Sequence, residues 1–265
     1  MLTPSIFTSV INSYLPEPQA SLLNGIIFGV NLKTSKEFYL QLKMVGLLHL
    51  VVLSGANISL LAAMIGSLTG FLSKRISVLL TILLIVLFVV FVGPQPPVVR
   101  AAFTGILTLV AIIYGRKNYA LYALLLSLIF IAIFWPKWIT TISLQLSYGA
   151  TLGLILFGHR RADIKSAPTI NYVINEFITS LSAQVFTAPI IFIYFKQISL
   201  ISPLANVMVS FTIAPLMVFG FITAILGAIW HPLGLLPAYF CYGILNYMVW
   251  VVEWLSKIPG GYMSY

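Results

Sequence analysis

Of the 265 residues, 60% are hydrophobic and only 7% charged, with a mean hydropathy of +1.07. A soluble domain carries roughly 25% charged residues, so a water-soluble globular fold is excluded. The net charge of +9 fits basic loops held on the cytoplasmic side of a membrane, and equally a polyanionic substrate drawn to a basic path.

Continuous apolar blocks of about 17–25 residues, rather than alternating strands of about ten, predict an all-α, polytopic transmembrane helical bundle. Residues 1–44 form an N-terminal segment, in which 20–30 are too short to span and either lie in the interface or pack against the bundle. Met1-Leu2-Thr3-Pro4 lacks the basic start of a signal peptide. About eight spans follow within one membrane-embedded domain, 45–256: 45–71, 76–93, 97–115, 119–135, 139–158, 172–195, 203–229 and 234–256. Residues 257–265 are a tail. Pro189, Pro203 and Pro215 interrupt the later spans and mark kinked, broken or re-entrant helices. The single cysteine, Cys241, excludes an intramolecular disulfide framework.

Eight spans place Lys74, Arg75, Arg116, Lys117, Arg160, Arg161 and Lys165 in one set of loops, seven basic residues in all. The opposite loops and near ends hold four, Arg100, Lys137, Lys196 and Lys257. Lys33, Lys36 and Lys43 of the N-terminal segment even the count, but the clustered pairs favour the first set as cytoplasmic, with both termini outside.

Polar residues inside the apolar blocks are the candidate functional groups, because lipid penalises each by about 1–3 kcal/mol when unpaired. In Gly46-Leu47-Leu48-His49 through Ser54-Gly55-Ala56-Asn57, a continuous helix sets Ser54 about 140° and Asn57 about 80° from His49 on the same side. All three then face one lumen, or they bond between helices with Gly55 as a packing notch; a break or a close helix contact near Ser54-Gly55 is expected. Next, Gly93-Pro94-Gln95-Pro96-Pro97 forces a turn, and Pro97 opens a helix with Arg100 about one turn inside. That arginine either snorkels or faces inward towards phosphate or a carboxylate.

Gln145, Gly149 and Gly153 draw one line, with Ser147 beside it, and the small residues favour helix packing. Glu176, Ser180, Gln184 and Thr187 recur at intervals of four, four and three as a polar stripe suited to a bundle interior or pore wall. Asn206 follows Ser202-Pro203, where a helix start aims its amides outward.

Signatures of catalysis are missing. His49, His159 and His231 fall in separate segments without HExxH or paired carboxylates, so neither a metal nor any other cofactor is expected. Ser54 and His49 point apart on a regular helix with no orienting acid beside them. The expectation is a protein that is not an enzyme.

Five ordered motifs resemble the membrane-embedded competence domain of the ComEC-type competence proteins. They are Leu22-Leu23-Asn24-Gly25 through Gly29, Gly46-Leu47-Leu48-His49 through Ser54-Gly55, Pro97-Val98-Val99-Arg100-Ala101, Gln145-Leu146-Ser147-Tyr148, and Tyr194-Phe195 through Ser202-Pro203-Leu204-Ala205-Asn206. The resemblance implies an inner (plasma) membrane channel that passes single-stranded DNA inward during natural transformation. It also implies a substrate path through His49, Ser54, Gly55, Asn57, Arg100, Gln145, Ser147, Glu176, Ser180, Gln184 and Asn206. Two departures stand out. The family usually has histidine where this chain has Asn57, and full-length members add an OB-like and a metallo-β-lactamase-like domain whose patterns are not found here. Membrane lipids, a separate nuclease and DNA-receptor or motor proteins are then the expected partners. A small-solute or ion-coupled transporter, built on the same broken helices and midplane polar groups, is the alternative.

Overall fold

A computed structural model describes residues 4–51, 53–116, 119–158, 168–259 and 261–264. Lys117 and the basic loop containing His159, Arg160, Arg161, Asp163 and Lys165 lie outside the described residues.

Helices form nearly all of the described chain. Three short ones, α1 (Pro4–Tyr14), α2 (Gln19–Phe28) and α3 (Lys36–Val45), precede the small helix α4 (Leu48–Val51) and α5 (Gly55–Leu68). Then come α6 (Lys74–Val92), α7 (Pro96–Ile113), α8 (Ala120–Phe134), α9 (Ile142–Phe157), α10 (Pro168–Phe195), α11 (Ser202–Ile229) and α12 (His231–Ser256). The exception to the all-α character is a small antiparallel ribbon in which β1 (Gln197–Ser199) pairs with β2 (Tyr262–Ser264).

Five helices, α6, α7, α10, α11 and α12, are long and apolar enough to cross a membrane, and α5, α8 and α9 are shorter apolar helices at the three remaining expected spans. Leu79, Leu83, Val90, Leu126, Ile129 and Ile133 are exposed along α6 and α8. Such rows of apolar side chains belong against lipid.

Prolines inside the later helices do not break them. Pro189 lies within α10, Pro215 within α11 and Pro237 within α12, while Pro203 sits in the first turn of α11. First-turn proline removes only an amide that has no helical partner, and bundle neighbours tolerate interior proline.

The 45–71 block is interrupted. Gly46 ends α3 in the left-handed conformation with φ 78°, α4 lasts one turn, and α5 starts at Gly55. A side chain on Gly46 would lie 2.7 Å from Cβ of Ser202 at the head of α11, so glycine satisfies both the backbone and the contact.

The largest apolar core is built around α2. All ten of its residues are buried, and Leu22, Leu23, Ile26 and Ile27 pack with side chains of α1, α3, α4, α11 and α12. Of the two places open to residues 20–30, the chain uses the bundle interior. A smaller apolar cluster joins Leu53, Ile58, Ile85, Val98, Ala101 and Ala102, from the α4–α5 break, α5, α6 and α7.

Candidate functional site

Arg100 is the deepest charge in the described structure. Pro96 and Pro97 occupy the first turn of α7, which places Arg100 one turn further in at 8% exposure. Its Nε–H donates to Ser147 Oγ of α9 at 2.9 Å, and its guanidinium carbon lies 5.7 Å from the centre of the Tyr148 ring. Tyr148 is itself held: Ser127 Oγ of α8 donates to the Leu124 carbonyl, so the Tyr148 hydroxyl donates to Ser127 across 2.8 Å. These partners are a hydroxyl and a ring, and neither neutralises the cation. A guanidinium has five N–H donors, of which Ser147 uses one.

Gly55 faces this arginine. A Cβ at Gly55 would stand 3.0 Å from an Arg100 Nη atom and 3.3 Å from Ala101 Cβ, so the head of α5 closes one side of the guanidinium. The structure thus brings together Gly55, Arg100 and Ser147, from three helices. Gln145, half-buried, lies on α9 two residues before Ser147.

Asn57 turns the other way. It is 3% exposed, its Nδ2 donates to the Ile26 carbonyl of α2 at 2.8 Å, and its Oδ1 accepts from Ser54 Oγ at 3.1 Å. It therefore ties the head of α5 to the buried helix. His49 is exposed on α4 with Nδ1 2.9 Å from the Gly46 carbonyl, a bond that needs the Nδ1–H tautomer. The angular relation expected among His49, Ser54 and Asn57 does not apply, because it assumed one continuous helix and the chain breaks between α4 and α5. Replacing Asn57 with Ala leaves the Ile26 carbonyl buried and unpaired, which costs about 1–3 kcal/mol. We expect a lowered unfolding midpoint in detergent for Asn57→Ala and partial recovery in Asn57→His, whose ring N–H can still donate.

On α10, Ser180 is buried and accepts from Asn206 Nδ2 of α11 at 2.8 Å, while Asn206 Oδ1 is buried without a hydrogen-bond partner. Glu176 and Gln184 are half-buried one turn to either side, and Thr187 bonds back to the Ala183 carbonyl of its own helix. The α9 and α10 backbones meet at Gly153, where a Cβ would run into the carbonyl oxygen of Ser182. Gly149 and Gly153 are thus packing residues between these two helices.

Apart from His49, which lies on α4, these groups lie on a closed cycle of neighbouring helices: α5 against α7, α7 against α9, α9 against α10, α10 against α11, and α11 back against α5. Each helix of the cycle contributes a polar residue singled out in the sequence. Among the described residues, no group of three or more His, Cys, Asp or Glu is placed to hold a metal ion.

The competence protein family model matches residues 26–265, from the end of α2 to beyond β2. The chain belongs to the competence protein family. Among curated proteins, ComE operon protein 3 of Bacillus subtilis (strain 168) is 28% identical over 207 residues, covering 77% of this chain. The alignment spans 26% of that relative, so this competence-family chain corresponds to about a quarter of its length. No solved structure matches. The apolar helices make this competence-family chain a membrane protein.

Tyr148 is the site residue that reading the sequence alone did not single out. It stands within the Gln145-Leu146-Ser147-Tyr148 motif, and an aromatic next to a hydroxyl that could meet a buried arginine was the available signal.

Proposed function

We propose that this chain forms a multi-pass path in the plasma membrane through which a single strand of DNA enters the cytoplasm during transformation. Arg100 is the observation that carries the reading. On insertion scales a guanidinium costs up to about 2.5–3.5 kcal/mol, the full amount only at mid-membrane, and the partners of Arg100 here are neutral. A cation with no ion-pair partner among the described residues, at a helix head, fits a phosphate that arrives and leaves. A permanent carboxylate partner would occupy it.

Ser147 and Tyr148 orient the guanidinium, and Gly55 lets it approach α5. Phosphate attraction is sequence-independent, as uptake of arbitrary DNA requires. The chain guides the strand and performs no bond chemistry; degradation of the other strand, delivery and driving force come from other proteins or domains. Complementation tests this directly. A deletion strain carrying this chain, supplied with the remaining uptake machinery, should recover transformation by marked DNA, and failure at normal protein level would remove the reading.

The same reading orients the loops. Lys74-Arg75, Arg116-Lys117 and Arg160-Arg161 face the cytoplasm under the positive-inside rule. Single cysteines placed there in a Cys241→Ser background should resist an impermeant thiol reagent in intact cells and react once cells are opened. Labelling from outside would invert the orientation.

A further inference from the structure

A cavity of about 490 Å³ opens beside the head of α7, in the volume range of small-ligand sites. Leu48 and Val51 of α4 form part of its apolar wall, and Asn31, Tyr39 and Gln95 supply its polar and aromatic groups. Among the described residues that line it there is no Asp, Glu, Lys, Arg or His. Gly29, left-handed at φ 64°, brings the loop after α2 against Gln95: a Cβ there would meet Leu53 Cβ at 2.8 Å and Gln95 Nε2 at 3.5 Å. Tyr39 is 45% exposed.

We propose that this cavity takes one unstacked nucleobase of the passing strand. The proposal rests on the DNA path above and adds a base subsite to its phosphate subsite. Three properties select a base over other occupants. An uncharged lining does not hold a free anion, whereas a base is neutral and flat. The amides of Asn31 and Gln95 each offer both a donor and an acceptor, which complement any base edge in one orientation or another. Tyr39 offers a π-face, and stacking on an aromatic ring tolerates every base.

Position argues the same way. Gln95 is the residue before α7 and Arg100 lies five residues on, about 7.5 Å along the helix axis. Phosphates along a strand are spaced about 3.4 Å apart when stacked and further apart when unstacked, so a base held at Gln95 and a phosphate held at Arg100 belong to the same or adjacent nucleotides.

The test compares fluorescent oligothymidylate with an abasic deoxyribose-phosphate oligomer of equal length, each binding the full chain in nanodiscs. Wild type should prefer the base-bearing strand by about fivefold to hundredfold, the range of one base stacked on an aromatic ring. Tyr39→Ala and Gln95→Ala should erase that preference while leaving the abasic affinity unchanged, and Tyr39→Phe should keep most of it. Arg100→Gln should weaken both strands equally. Wild type binding both strands alike, or a preference that survives the Tyr39→Ala, Gln95→Ala double variant, would overturn the base subsite and leave the phosphate path standing. Wild type binding neither strand would overturn both.

Discussion

Replacing Arg100 with alanine should reduce DNA passage by about tenfold to hundredfold, the worth of one charge-assisted contact of about 1.5–3 kcal/mol expressed as a rate. Arg100→Glu should do worse, because it adds repulsion of every phosphate to the lost attraction. Arg100→Lys should retain part of the function, since an ammonium still attracts phosphate but cannot bond it bidentately or reproduce the planar contact with Tyr148. Marked-DNA transformation measures all three, normalised to membrane-inserted protein. The competing view, that the arginine snorkels, expects wild-type passage in Arg100→Gln and Arg100→Glu. That result, with insertion confirmed by membrane fractionation, would remove Arg100 from the path.

Ser147 and Tyr148 separate a positioning role from simple burial. Ser147→Ala removes the Nε partner and Tyr148→Leu removes the ring, yet neither removes the charge. Passage should fall in both, by less than in Arg100→Ala. An unfolding midpoint near wild type would mark the loss as one of orientation.

What the sequence made legible follows from local rules. Two prolines and an arginine at fixed spacing predict the head of α7, and Gly55 after Ser54 predicts either a break or a close helix contact there, and the chain makes the break before α5. Helix α3 carried an equally readable signature that span-length reasoning passed over. Ser35 accepts from the Phe38 amide as N-cap, Glu37 stands in the first turn, Lys43 in the last, and Gly46 caps the end in the left-handed conformation.

Helix α2 was harder for a physical reason. Ten residues cannot span lipid, and hydropathy alone does not tell an interfacial helix from one buried on every side. Its Gly25 decides the matter only in three dimensions, where a Cβ would run into the Val51 carbonyl of α4. The meeting of Arg100 with Ser147 and Tyr148, or of Ser180 with Asn206, is likewise tertiary. No local periodicity encodes it. The stripe on α10 predicted a polar face without saying that α11 would meet it.

The second large effect is expected at Gly153. Its missing side chain is what lets α9 lie against the α10 backbone: a Cβ would collide with the Ser182 carbonyl oxygen, stand 3.0 Å from its carbonyl carbon and 3.3 Å from Ala183 Cα. Backbone atoms cannot rotate aside as a side-chain tip can, so Gly153→Ala should cost about 1–3 kcal/mol as an overpacking change. Gly153→Leu should separate the helices and remove most of the folded protein. Gly149 lies one turn earlier on the same face, but its nearest neighbour is the Ile190 Cδ1 methyl at 3.3 Å, which can move, so Gly149→Ala should be the milder of the pair. Gly105 on α7 is an internal control. A Cβ there meets nothing within 4 Å, so Gly105→Ala should hold or raise stability by up to about 1 kcal/mol through helix propensity. Thermal unfolding in one detergent orders the set as Gly105→Ala, wild type, Gly149→Ala, Gly153→Ala and Gly153→Leu from most to least stable. Because α9 carries Ser147 and Tyr148 on the same rigid body, passage through the Arg100 site should fall in the same order wherever packing fails. A Gly153→Leu protein with wild-type level and midpoint would show that α9 and α10 are not held together at this contact.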